Sequence, residues 1–122
     1  MVLETIKKLI GFDADYNAFD TDLTLYINST LDTLKQLGVN VIGRLTLGGS
    51  EDWSDIIGDD TDLDSVKIYI YLKCRLVFDP PLNASILESI KQQIQEYEYR
   101  INFEYEYMYP PDSGEEVDPS NG

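Results

Sequence analysis

Pro80 and Pro81 stand between the two most strongly patterned stretches of the chain, and no regular element can run through them. Neither donates a backbone hydrogen bond, and each fixes its own φ, so the preceding element must stop and the next must start afresh. Phe78, Asp79, Pro80 and Pro81 therefore read as a structural corner. After it, a helix is expected from about Asn83–Ser85, with Ser85 and Glu88 at the spacing of a capping box. Leu87, Ile90, Ile94, Tyr97 and Ile101 then recur at intervals of three and four, a seam suited to packing against another helix.

Before the corner, two readings compete. Val66, Ile68, Ile70, Leu72, Cys74, Leu76 and Phe78 alternate with Lys67, Tyr69, Tyr71, Lys73 and Arg75, broken only by Val77. That alternation is the mark of a half-buried strand. The run is long for a strand, which usually spans about 5–6 residues. A helix start is also marked: Thr61 can cap, Asp64 sits at capping-box spacing, and acids crowd the first turn. Read helically, Ile68, Leu72 and Leu76 share one face, with Val66, Ile70, Cys74 and Val77 on an adjoining one. Length and the marked start tip the balance toward helix.

The N-terminal third is plainer. Residues 2–10 predict a short helix with Leu3, Ile6, Leu9 and Ile10 on one side, broken at Gly11 and the polar turn beyond it. A second helix is expected from Asp20 or Thr21 to Leu37, with Leu23, Ile27, Leu31 and Leu34 on its apolar face. Gly38 suits the position just past its end. Residues 38–60 are the least helical part. Val39, Val41, Ile42, Leu45 and Leu47 predict an extended arm or a small hairpin, and Trp53 to Gly58 one helical turn. Past Arg100 the aromatic run Phe103, Tyr105, Tyr107 loses the seam's period, and residues 109–122 read as a flexible acidic tail. The expected fold is all-α. It is a small bundle of about four helices over residues 1–108, with a long, partly extended loop between the second and third main helices.

Charge and composition narrow the function. Against 9 Lys and Arg stand 23 Asp and Glu, a net charge of −14 on 122 residues. Such a chain is repelled by phosphate backbones and anionic membranes. Residues 61–82 balance three bases against three acids; residues 38–60 hold five acids and only Arg44, and the tail holds four acids and no base. A single cysteine excludes an internal disulfide. The N-terminus lacks a signal peptide's apolar core, and no apolar run reaches the roughly 20 residues of a membrane span, so a soluble, intracellular product is expected.

Little catalytic chemistry is available. With no histidine, Ser/His/Asp and Cys/His arrangements and most zinc sites fall away. Gly48-Gly49 is followed by acids rather than by the Lys and Ser of a phosphate loop. Cys74, within the most apolar segment, reads as a small buried hydrophobe. Asp60-Thr-Asp62-Leu-Asp64-Ser65 opens like a calcium loop, but Ser65 replaces the glycine and Tyr71 the closing glutamate. Acids favoured at a helix N-terminus explain it without a metal. Asp13 and Asp15 read as a solvated turn. No catalytic residue, cofactor or metal is expected.

Two stretches resemble the head–tail connector (adaptor, or head-completion) proteins of tailed bacteriophages. One runs from Val66 through the Leu76-Val-Phe-Asp-Pro-Pro81 corner into Ile86 to Ile101, with its Glu98-Tyr-Arg100 ending. The other is the short helix, acidic turn and second helix from Leu3 to Leu37. The resemblance implies a helical bundle, and so a helix at 66–78. It implies a homo-oligomeric ring, dodecameric in the virion, lying under the portal protein in the neck after assembly in the bacterial host cytoplasm. Such a ring extends the DNA channel without binding DNA specifically and docks the next neck or tail-completion protein, with no membrane involved.

A subunit of that kind needs interface area. Val39, Val41, Ile42, Leu45, Leu47 and Trp53, with Tyr99, Phe103, Tyr105 and Tyr107, are the candidates. The plainer reading of each is an internal one: core for the aromatics, a hairpin for the arm. Two other functions stay open, an acidic DNA mimic that inhibits a DNA-binding enzyme and a generic helical interaction module. A mimic needs carboxylates spaced like phosphates along exposed elements, whereas here acids crowd into loops.

Overall fold

Residues 66–78 are helical. In the computed structural model, which describes residues 1–59 and 62–108 (backbone only at 107 and 108), α4 runs without interruption over Leu63–Phe78. Its N-cap is Asp62, whose carboxylate accepts from the Ser65 amide at 3.4 Å and the Ser65 hydroxyl at 2.8 Å. The expected cap Thr61 lies outside the described residues. The other helices are α1 (Val2–Ile10), α2 (Asp20–Gln36), the single turn α3 (Trp53–Ile56) and α5 (Ala84–Met108). Among the described residues there is no β-strand, only an isolated antiparallel bridge between Val41 and Ile57.

The strand-like alternation in α4 has a packing cause. The helix is central, touching α1, α2 and α5, so apolar residues are needed around most of its circumference. Val66, Tyr69, Ile70 and Cys74 are fully buried and Leu72 nearly so. The intervening lysines set their ammonium groups over rings: Lys67 Nζ lies 5.3 Å from the Trp53 ring centre and Lys73 Nζ 5.9 Å from that of Tyr69. Two expectations for this face need correcting. Ile68 and Val77 are exposed, and Tyr69, on the polar side of the alternation, is buried.

The first two helices form largely as expected. α2 buries Leu23, Ile27, Leu31 and Leu34, and Gly38 follows its end in the left-handed region at φ 106°. On α1 the buried positions are Val2, Leu3, Ile6, Lys7 and Ile10, whereas Leu9 points outward. Lys7 is buried because its ammonium has partners there, Asp20 Oδ1 at 2.9 Å and the Ala14 carbonyl at 3.2 Å. That pair closes the turn between α1 and α2. Five aromatic contacts tie the same turn to the corner: Phe12–Tyr16, Phe12–Phe19, Tyr16–Phe19, Phe19–Phe78 and Tyr26–Phe78.

α5 begins beyond the prolines, where the Asn83 side chain accepts from the Ser85 and Ile86 amides at 2.8 and 3.1 Å. Its seam packs on α4, with Ile90, Ile94 and Ile101 buried and Leu87 and Tyr97 half-buried. The acidic tail 109–122 lies outside the described residues.

Candidate interaction surface

The long loop between α2 and α4 folds back on its own chain. Asn28 on α2 clamps it from both sides, accepting from the Leu45 amide at 2.8 Å and donating to the Leu45 carbonyl at 3.0 Å. Arg44 grips Asp32 with both terminal nitrogens at 2.8 and 3.2 Å, and this pairing holds the Asp32 carboxyl below its ordinary pKa. Glu51 accepts from the Thr46 amide at 3.0 Å; hydrogen bonding to Thr46, its side chain first, lowers the Glu51 pKa, and the Glu51 backbone carbonyl accepts from the Val2 amide on α1 at 3.0 Å. Ile42 and Gly58 donate to the carbonyls of Ile56 and Asn40, closing a hairpin-like neck. Of the two readings of 38–60, the intramolecular hairpin is the nearer.

This arrangement divides the arm's apolar residues. Val39 and Leu45 are buried in the core, and Val41 is half-buried at the bridge to Ile57. Ile42 and Leu47 remain on the surface, 57% and 66% exposed. Trp53 is half-buried beneath Lys67, and its indole N–H is buried with no hydrogen-bond acceptor among the described residues.

The aromatic end of α5 is divided as well. Tyr99 and Phe103 stack on each other, ring centres 6.2 Å apart, and stay 75% and 49% exposed. Tyr105 leans against Gly38, so close that a Cβ there would strike its ring. Asn102 donates to the Leu37 carbonyl at 3.2 Å. The two contacts fasten the end of α2 to α5. Tyr107 lies outside the described side chains. At the corner, Phe78 is half-buried among aromatics, while Asp79 and Pro80 are exposed.

Sequence reasoning named the outward aromatics but missed a second exposed apolar group at the opposite end of α4. Leu25 and Val77 are 57% and 52% exposed beside a groove of about 450 Å³, lined also by Asp22, Tyr26, Ser29 and Phe78. Leu25 is off the α2 seam, which is the signal that could have found it.

Cys74 is buried, and burial pushes its thiol up to about 12, so the thiolate is scarce at neutral pH. Among the described residues no three acids or thiols converge as metal ligands, and no helix is long and apolar enough to cross a membrane.

No curated protein and no solved structure matches the chain. A family of proteins does, described as phage connector protein, and the match extends over residues 2–108, which is every helix of the bundle. On that match, the chain belongs to the phage connector protein family.

Proposed function

We propose that the chain is a structural virion subunit that closes into a ring beneath the portal protein, extends the DNA channel and docks the next neck or tail-completion protein. Assembly takes place in the host cytoplasm, and the dodecamer is the ring size that the connector resemblance favours. The observation that carries this reading is the exposed Tyr99–Phe103 stack on a chain of the connector family. Large stacked aromatics are favoured where a partner covers them and are costly to leave wet. Ile42 and Leu47 supply further unpartnered apolar area. The excess of 23 acids over 9 bases fits a conduit that lets DNA slide, since an acidic wall repels phosphate.

The salt dependence of assembly tests this reading. Subunits of charge −14 repel one another, so apolar burial must drive association, and screening must help it. The Debye length falls from about 10 Å at 0.1 M salt to about 3 Å at 1 M. Sedimentation velocity should show larger species as salt and protein concentration rise, and Tyr99→Ser with Phe103→Ser should abolish them. A DNA mimic behaves oppositely. It stays monomeric at every salt concentration and binds a DNA-processing enzyme in competition with DNA, more weakly as salt rises.

A further inference from the structure

The end of the bundle that carries the corner offers a surface that the ring reading does not use. There the N-terminal part of α2 meets the C-terminus of α4, as the contacts of Phe78 with Phe19 and Tyr26 show, and α5 begins just past the corner. The open groove between α2 and α4 has Leu25 and Val77 on its walls, each more than half exposed, and Phe78 at its side. Phe19 is 41% exposed alongside, and Leu82, on the corner itself, is wholly exposed. Exposed apolar side chains gathered about a groove are the mark of an interaction site.

The charges around it indicate what would sit there. Asp22 lines the groove, Asp79 begins the corner, and Asp13 and Asp15 lie on the adjoining turn; all four are exposed, and none forms an ion pair among the described residues. Of the nearby cations, Lys7 on α1 is committed to Asp20, and Arg75 in the last turn of α4 donates to the Tyr71 hydroxyl at 3.4 Å. An apolar centre rimmed by unpaired carboxylates is complementary to an apolar segment flanked by lysine or arginine. It is a poor match for a second copy of this chain, which would bring acids to acids.

We propose that this groove is the docking site for an apolar segment with basic flanks, contributed by a partner protein and not by another copy of the chain. Leu25 and Val77 form the contact, and Asp22 and Asp79 select the charge of the partner. The site is separate from the Tyr99–Phe103 stack, so its test is independent of ring formation.

The test uses the full chain and two designed amphipathic helical peptides, one of Leu and Lys and the other of Leu and Glu. Methyl NMR at about 0.15 M salt should show saturable shifts centred on Leu25 and Val77 with the Leu/Lys peptide and none with the Leu/Glu peptide. Leu25→Asp should weaken binding at least about tenfold, a loss of about 1.4 kcal/mol. Because this substitution adds an acid, a merely electrostatic attraction would instead grow. Asp22→Asn with Asp79→Asn should weaken binding several-fold while lowering the melting temperature by only a few degrees, the share of a first-turn acid. Any of four results overturns the proposal: dissociation constants weaker than about 1 mM; equal affinity for the two peptides; binding unaffected by Leu25→Asp; or self-association of the free chain that Leu25→Asp abolishes, which would give the groove to a second copy.

Discussion

Tyr69 shows how much of this fold rests on single side chains that pattern alone misplaces. Its ring is fully buried in α4, and its hydroxyl donates to Glu98 Oε2 on α5 at 2.7 Å. Alternation put it on the polar side, because a sequence does not display the partner that makes a buried phenol tolerable. Tyr69→Phe should lower unfolding free energy by about 1.5–3 kcal/mol, the range for hydrogen bonds to charged groups, as read by urea denaturation. Burial first, and Glu98 second, raise this phenol above its ordinary 10, and burial raises the Cys74 thiol to about 12. Both groups therefore hold their protons longer in the native chain than in the unfolded one. Stability should be insensitive to them below pH 9 and should fall as pH rises above it, less steeply in Tyr69→Phe and in Cys74→Ala. Lys7 teaches the same lesson with a charge. Its side chain is 4% exposed and that of Asp20 30%, so Asp20→Asn should cost about 2–3 kcal/mol by stranding the ammonium. Lys7→Met should cost less, since it removes the charge and keeps the volume. Equal losses in the two variants would mean that the pair, not the stranded charge, matters.

At the scale of elements, legibility followed locality. The α5 seam and the α2 face could be read because each element packs on one side, so its apolar period is undisturbed. α4 could not be read so directly, because a helix contacted by three others has no polar face from which to take a phase. The seam can be tested at Ile94, which is 7% exposed. Ile94→Asp should cost on the order of 3–5 kcal/mol by placing an unpaired charge among apolar groups. A variant melting within a few degrees of the parent would show that this face is not buried. The join between α2 and α5 makes a second, comparative case. Gly11 and Gly38 both take positive φ, but only at Gly38 would a Cβ collide with a neighbour, the ring of Tyr105. Alanine at Gly11 should cost the backbone strain of about 1–2 kcal/mol, and alanine at Gly38 distinctly more, by differential unfolding. Equal costs would mean that Tyr105 moves aside freely.

For the whole molecule, what the sequence could not show is how the 38–60 loop spends its apolar residues. Val39 and Leu45 turn inward because Asn28 and Arg44, with the bridge to Ile57, fold the loop back, and these contacts join residues far apart in the chain. Ile42 and Leu47 are left outside with the Tyr99–Phe103 stack. The acidity, by contrast, was legible from composition, and it sets the conditions of assembly. In the proposed ring, apolar contacts must overcome −14 per subunit, so assembly is expected to grow with salt and protein concentration. A ring further requires a heterologous contact that closes on itself, whereas one that does not close grows into filaments. Negative-stain microscopy of the species assembled at about 1 M salt examines that requirement directly. The connector reading predicts closed rings of uniform subunit number around an opening wide enough for a DNA duplex. Open filaments, irregular clusters or a monomer at every concentration would contradict it.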